Sequence, residues 1–359
     1  MKAYPKRLRA GLIHGTLALT MAFVGSRAGA SELYRWEPPF SYAGQAIEMP
    51  YAPAARPGKV WSLCVVFPHL KDAYWLAVNY GMVSQAQRLG VKLKVLEAWG
   101  YGNLQRQRDL LQECARTQGF DAIVLGSVSF AGLTDLIQTI SRAKPVFATV
   151  NDVADPGLSG KVGVPWYDMG HLIGKYLAAR HPSGTEPVSI AWFPGPEAAG
   201  WVPFVDRGFR DAIRHSSVRI VSTGWGDTDK SLQRNLVQAA LERHPDVRYL
   251  GGNAMMAEAA VSILRETGLE GRKEIVSTYF TPGVYRGIVR NKILAAPTDA
   301  PVLQGRLSID QAVDMLEGHN YVKHVGPVIK VIDHAALPSM DLEDSISPPT
   351  FSPQFTYSP

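Results

Sequence analysis

From Trp61 onward, short apolar runs alternate with segments of helical period, and the alternation occurs twice. In the first run, SLCVVF leads into a helical stretch from Tyr74 to Leu89, with Trp75, Val78, Met82, Ala86 and Leu89 at three- and four-residue spacing. Strand VKLKVL, a helix from about Leu104, strand DAIVLG, helix GLTDLIQTISRA and strand PVFATV follow. Short strands separated by helices read as a parallel sheet, because each parallel return needs a helical crossover.

Residues Asn151 to Gly170 interrupt this rhythm with a Gly/Pro-rich crossing, after which it restarts. MGHLIGKYLAARH, VSIAWF, a helix around Phe204 to His215, RIVSTGW, SLQRNLVQAALERH, VRYLGG, MAEAAVSILRET, EIVST, GVYRGIVRN and KILAA make a second unit. In SLQRNLVQAALERH, Leu232, Leu236, Ala239 and Ala240 are expected on the core face. A helix in TDAPVLQGRLSIDQAVDMLEG and a late strand, VGPVIKVI, complete the pattern. The fold class expected is α/β with two lobes, each a parallel sheet flanked by helices, joined by hinge crossings. The first lobe is assigned residues 60–152 and 298–322, and the second 153–297 and 323–332. Residues 31–59 read as a proline-rich extended arm and 333–359 as an irregular tail.

The first thirty residues carry Lys2, Lys6, Arg7 and Arg9, then an apolar run from Ala10 to Val24, then small residues ending at Ala30. That order reads as a secretory signal peptide cleaved after Ala30, and the run is shorter than the ~20 apolar residues a membrane span needs. The expected product is a soluble exported protein. The leader holds five of the 37 Lys and Arg and none of the 32 Asp and Glu, so the remainder balances at 32 against 32. A neutral mature chain gives no case for nucleic acid as a partner. Cys64 and Cys114 lie 50 positions apart without a C-x-x-C motif, and either a disulfide or two buried thiols suits the pattern.

In open parallel sheets the ligand sits beyond the carboxyl ends of the strands, here the cleft between lobes. Asp72, Tyr74 and Trp75 open the first helix there; Tyr101 follows the second strand; Trp166 stands at the interlobe crossing; Tyr279 follows EIVST. Several aromatic faces and one carboxylate suit a small methylated cation, whose weakly hydrated charge ring quadrupoles can face in place of water. Plainer roles compete: Asp72 as a helix N-cap, Trp75 in core packing, the tyrosines as strand-end caps. Asp227 and Asp229 read as caps or turn formers, and His319 and His324 lack the spacing of metal ligands on one helix face. The chain has no G-x-x-x-x-G-K-[ST] loop, G-x-S-x-G elbow or H-E-x-x-H helix, so neither an enzyme nor a cofactor or metal is expected.

The runs PHLKDAYWLAVNYGMVSQA, ATVND, GVPWY, KSLQRNLVQ, GVYRGIVRNKILAAPTD and QGRLSIDQA, with SISPPTFSP in the tail, resemble periplasmic trimethylamine-N-oxide sensors of the type I periplasmic binding-protein superfamily. The resemblance implies a two-lobed binding protein whose ligand is trimethylamine N-oxide or a related methylated amine. It also implies a partner, the periplasmic domain of a membrane sensor histidine kinase, and a role in inducing respiration of that oxide. By motif it carries over Tyr74 and Trp75 in DAYW, Tyr101 in GYGN, Trp166 in GVPWY and Tyr279 in STYF, with Asp72 alongside. Pro165 stands where the family places an acidic residue, and Asp168 comes two places after the tryptophan. A transport subunit that hands a sugar or small amine to an importer is the rival within the fold. A repressor would need a helix-turn-helix module before the first lobe, where the chain is too rich in proline.

Overall fold

The computed structural model describes residues 31–359. The expected leader lies outside the described residues, and among those described no helix is long and apolar enough to cross a membrane. In chain order the first elements are β1 (Glu32–Glu37), β2 (Gln45–Pro50), β3 (Ser62–Phe67), α1 (Ala73–Leu89), β4 (Lys92–Glu97), α2 (Leu104–Arg116), β5 (Ala122–Leu125), α3 (Thr134–Ile140), β6 (Val146–Val150) and β7 (Gly160–Gly163). Then come α4 (Trp166–Arg180), β8 (Val188–Gly195), α5 (Val202–Ile213), β9 (Val218–Trp225), α6 (Lys230–Arg243), β10 (Tyr249–Gly252), α7 (Ala254–Glu266), β11 (Glu274–Ser277), α8 (Pro282–Val289) and β12 (Ala295–Thr298). The last are α9 (Pro301–Leu316), β13 (His324–Pro327), β14 (Lys330–Asp333), α10 (Leu342–Ser345) and β15 (Thr356–Tyr357).

The apolar runs fall into two sheets, β15-β4-β3-β5-β6-β7-β13-β1-β2 and β14-β12-β11-β10-β8-β9. The central strands of each sheet are parallel and buried on both faces, as in β5, where all of Ala122 to Leu125 are buried. Such sheets need helices on both sides, which explains why these strands read as continuous apolar runs. Each lobe holds one helix pair in backbone contact. A Cβ on Gly81 of α1 would lie 2.0 Å from the Val302 carbonyl oxygen of α9, and one on Gly170 of α4 would lie 2.0 Å from that of Val205 in α5.

Several boundaries differ from the sequence reading. The proline-rich arm is a hairpin, with β1 pairing β2 and β13 antiparallel. Its alternation escapes notice because β2 is an edge strand with one exposed face. The tail returns as β15 on β4, Tyr357 opposite Leu93. VGPVIKVI is two strands: β13 joins the first sheet beside β7, and β14 pairs antiparallel with β12 in the second. Consequently β7 and β13 lie in the first sheet, although the reading assigned 153–297 and 323–332 to the second lobe. On α6 the buried face is Gln233, Val237 and Ala240, whereas Leu232 is exposed. The Gln233 amide anchors that face by donating to the carbonyls of Gly226 and Asp227.

The chain passes between lobes three times, between β7 and α4, between β12 and α9, and between β13 and β14. Of the two alternatives for the cysteines, the structure has the disulfide, which joins Cys64 on β3 to Cys114 on α2.

Candidate ligand-binding site

The site is built from the first residues after strand ends. β3 ends at Phe67, and the turn that follows places Asp72 at the N-cap of α1, where its carboxylate accepts from the Trp75 amide at 3.0 Å. That cap sets the first turn of α1 and with it the directions of Tyr74 and Trp75. Gly126, just after β5, leaves room for the Trp75 indole, since a Cβ there would fall 2.6 Å from the ring.

All six residues anticipated from the sequence line one small cavity: Asp72, Tyr74, Trp75, Tyr101, Trp166 and Tyr279. Asn151, Trp201 and Thr228 complete it. The sequence reading missed these three: Asn151 directly follows β6 and Thr228 comes three residues after β9, so the strand-end rule that selected Tyr101 and Tyr279 reaches them, whereas Trp201 lies six residues beyond β8. Trp166 differs from its expected setting. It forms the first turn of α4 rather than standing in an irregular crossing, with Pro165 as N-cap residue.

The rings come from both lobes and touch. Tyr74 lies 5.3 Å from Tyr279 and 6.4 Å from Trp166 between centroids, and Trp201 lies 5.0 Å from Trp166 and 5.9 Å from Tyr279. The volume left among them is about 10 Å³, room for about one water.

Hydrogen bonds hold the first-lobe side of this box. The Tyr74 hydroxyl donates to Asp299 at 2.5 Å, and Gln304 donates to the same carboxylate oxygen at 2.7 Å. Burial pushes the Asp299 carboxyl above the usual range and the Tyr74 phenol well above its own, so the phenol keeps its proton. The Trp166 indole donates to the Val150 carbonyl at 2.9 Å. Val150 has φ of 67°, a left-handed conformation unusual for a β-branched residue. It is the centre of a tight three-residue turn in which the Asn151 amide donates to the Thr149 carbonyl. This strained backbone serves both Trp166 and Asn151, in the manner of backbone outliers at ligand sites.

Around Tyr101 the donors outnumber the acceptors. Its phenol oxygen accepts from Trp75 Nε1 at 3.2 Å and from Asn151 Nδ2 at 3.1 Å, which occupies its lone pairs and leaves its proton to donate. Trp201 Nε1, buried in the same cavity, lies near the Tyr101 hydroxyl, whose lone pairs are taken, and has no hydrogen-bond partner of normal geometry among the described residues. An oxygen anion placed between Tyr101 and Trp201 would satisfy both donors. The box can therefore take a molecule with a methylated cationic end against the rings and an anionic oxygen at this corner.

The lobes meet around the cavity. Lys71 pairs with Asp227 at 2.9 Å, and the Thr228 hydroxyl donates to Asp72 at 3.4 Å. Phe130 meets Phe204 with centroids 5.6 Å apart. Asp229 caps α6, accepting from the amides of Ser231 and Leu232 at 3.0 Å, while Asp227 serves the interlobe pair. His69, beside Asp72, is buried, and burial lowers its pKa.

Residues 60–343 match the sequence profile of the periplasmic binding proteins and sugar-binding domain of the LacI family. The periplasmic protein TorT of Escherichia coli O157:H7 is 39% identical over 328 residues, 91% of this chain and 92% of TorT. A crystal structure of the TorS sensor domain–TorT complex in the presence of TMAO contains a chain 44% identical to this one, with a TM-score of 0.75, covering 82% of this chain and 99% of that one. An ABC transporter solute-binding protein from Bradyrhizobium sp. BTAi1, crystallised with bound bis-tris, is 43% identical with a TM-score of 0.78, over 91% and 98% of the two chains. This chain is a homologue of TorT and belongs to the family of periplasmic binding proteins.

Proposed function

We propose that the protein is a non-catalytic sensor that binds trimethylamine N-oxide, or a closely related methylated amine oxide, in the aromatic cleft. Its closed form would be recognised by the periplasmic domain of a membrane sensor histidine kinase, so that the oxide switches on its own respiration. The observation that carries this reading is the pairing, in one cavity, of rings from both lobes with two donors that lack an acceptor, the Tyr101 hydroxyl and Trp201 Nε1. Rings face the methyl-clad nitrogen, and the two donors donate to the oxygen. Three or four desolvated rings at about 1–2 kcal/mol each give roughly 3–8 kcal/mol before ordering costs, which points to micromolar or weaker affinity. The assembly of TorT with the TorS sensor domain supports the choice of partner.

With only about 10 Å³ free among the rings, the ligand enters by separation of the lobes and remains as they come together. A ligand shifts this equilibrium only by binding the closed form more tightly than the open one.

Calorimetric titration with trimethylamine N-oxide, tetramethylammonium and ribose tests the reading. Saturable binding of the oxide without turnover is expected, stronger than that of tetramethylammonium, with ribose silent. Trp201→Phe should remove most of the preference for the oxide and leave tetramethylammonium binding nearly unchanged. Binding of ribose but not the oxide would sink the proposal. The Bradyrhizobium relative favours a second reading, a solute-binding subunit of an importer for a sugar or small amine. Purified kinase sensor domain separates the two: co-migration with this protein belongs to the sensor and its absence to the importer subunit.

A further inference from the structure

A second cavity, about 370 Å³, shares no residue with the aromatic cleft. One wall is the N-terminal hairpin, with Tyr34 and Trp36 on β1 and Tyr42 in the turn beyond it. The opposite wall is helix α4, and the third crossing contributes Pro327, Val328 and Ile329. At this size the cavity falls within the range of small-molecule sites, far above what the cleft leaves free.

The lining combines two kinds of surface. Trp36 and Tyr42 meet edge to face with centroids 4.9 Å apart, and Tyr34 lies 6.2 Å from Trp36. Facing them, Asp168, His171 and Lys175 stand at i, i+3 and i+7, one stripe of α4. Among the described residues none of the three is paired with an opposite charge across the cavity; the hairpin's acid Glu48 takes its hydrogen bond from Tyr34. His171 is half-buried, its ring stacked on Tyr167 with centroids 5.5 Å apart, so it serves as wall rather than as a polar contact.

Seven residues of helix separate Asp168 from Lys175 by about 10 Å along the axis. Helical side chains lean toward the N-terminus, so the long lysine stem folds back over the turn that carries His171 and Asp168. The ammonium and the carboxylate can thus be brought to the spacing of one compact zwitterionic head.

We propose that this cavity is a second ligand site, one that takes a small zwitterion bearing a planar ring, of which an aromatic amino acid is the simplest example. Its ammonium is held by Asp168, its carboxylate by Lys175, and its ring by Trp36 and Tyr42. The walls belong to different lobes, so an occupant bridges them beside two of the three crossings.

The test is calorimetric titration of the purified protein with L-tryptophan, tryptamine and indole-3-propionate. L-tryptophan is expected to bind saturably, and both Asp168→Asn and Lys175→Gln should weaken it at least tenfold. Asp168→Asn should leave indole-3-propionate unaffected, and Lys175→Gln should leave tryptamine unaffected. Ala46→Phe, which fills the cavity from the hairpin without touching a charge, should abolish binding with the melting temperature preserved. Three results overturn the proposal: no saturable binding at millimolar concentration, equal affinity in all three variants, or loss of L-tryptophan binding in Trp201→Phe with retention in Asp168→Asn, which would place the ligand in the cleft.

Discussion

The two lobes share an architecture but face the cleft differently. The first lobe presents side chains tied to one another: Asp72 caps α1, Tyr74 donates to Asp299, and Tyr101 accepts from Trp75 and Asn151. The second presents Trp201, whose indole N–H has no partner among the described residues, Tyr279, whose phenol meets only the backbone amide of Ala254, and Trp166, whose one hydrogen bond reaches back to Val150 of the first lobe. A hydrogen-bonded surface keeps its shape with or without a ligand, because moving one member leaves another buried and unpaired. A surface with few side-chain hydrogen bonds of its own can shift at lower cost. The first lobe thus reads as the template and the second as the cover, with Trp166 joining them at the crossing.

Trp166→Ala should have the largest effect. The indole is 3% exposed and touches Tyr74, Trp201 and Tyr279. Its loss should cost about 3–5 kcal/mol of stability and weaken oxide binding at least tenfold. Tyr279→Ala is the paired test, because it removes a ring of the cover without a bond to the template. If denaturant midpoints show Tyr279→Ala to be the more damaging to stability, the roles of template and cover are reversed.

Tyr101→Phe strikes the template. The phenol oxygen satisfies two buried donors, so its removal should destabilise the protein by about 2–3 kcal/mol even without ligand. Trp201→Phe removes only an N–H that already lacks a partner, and thermal melts should show a smaller shift. Equal shifts for the two substitutions would remove the distinction between the lobes.

This contrast was only partly legible in the sequence. Asp72, Tyr74, Trp75, Tyr101 and Tyr279 could be placed together because each follows an apolar strand closely, and a parallel sheet sends all such turns to one end. Trp201 comes six residues after the end of β8, behind PGPEAA, and that loop hides its relation to the strand. The hairpin of β1 and β2, the return of β15 and the split of VGPVIKVI depend on pairings between distant segments, to which local periodicity is blind. The network at Asp299 was hidden for the same reason: Tyr74 and Asp299 are 225 positions apart. Even on α6 the buried stripe was set by where Gln233 reaches, not by where leucine recurs.

The template should also be the pH-sensitive half. Both histidines that are deeply buried among the described residues, His69 and His324, belong to it. Burial, with Lys161 nearby, lowers the His324 pKa to about 3, and its Nδ1 accepts from the Phe40 amide as only a neutral ring can. The folded pKa is below the unfolded one near 6.5, so the unfolded chain binds the proton first. Stability is then complete above about pH 6.5 and declines as the pH falls below it, by roughly 2 kcal/mol at pH 5 for this group. His324→Gln, which keeps an acceptor that does not titrate, should flatten that decline in denaturant melts at pH 7 and pH 5. An unchanged slope would move the acid sensitivity to other groups.

The smallest effect sharpens the comparison at the rim. Lys71 of the template pairs with Asp227 of the cover, and both side chains are about one-third exposed. Exposed pairs contribute up to about 1 kcal/mol, and their worth falls with salt. Because this pair spans the lobes, Lys71→Met should leave the melting temperature nearly unchanged while lowering oxide affinity about twofold at low ionic strength. At about 1 M salt, where screening acts over about 3 Å, parent and variant should bind alike. A difference that persists at high salt would mean that Lys71 acts through contact rather than charge, and the rim would then belong to the hydrogen-bonded template rather than to the moving surface.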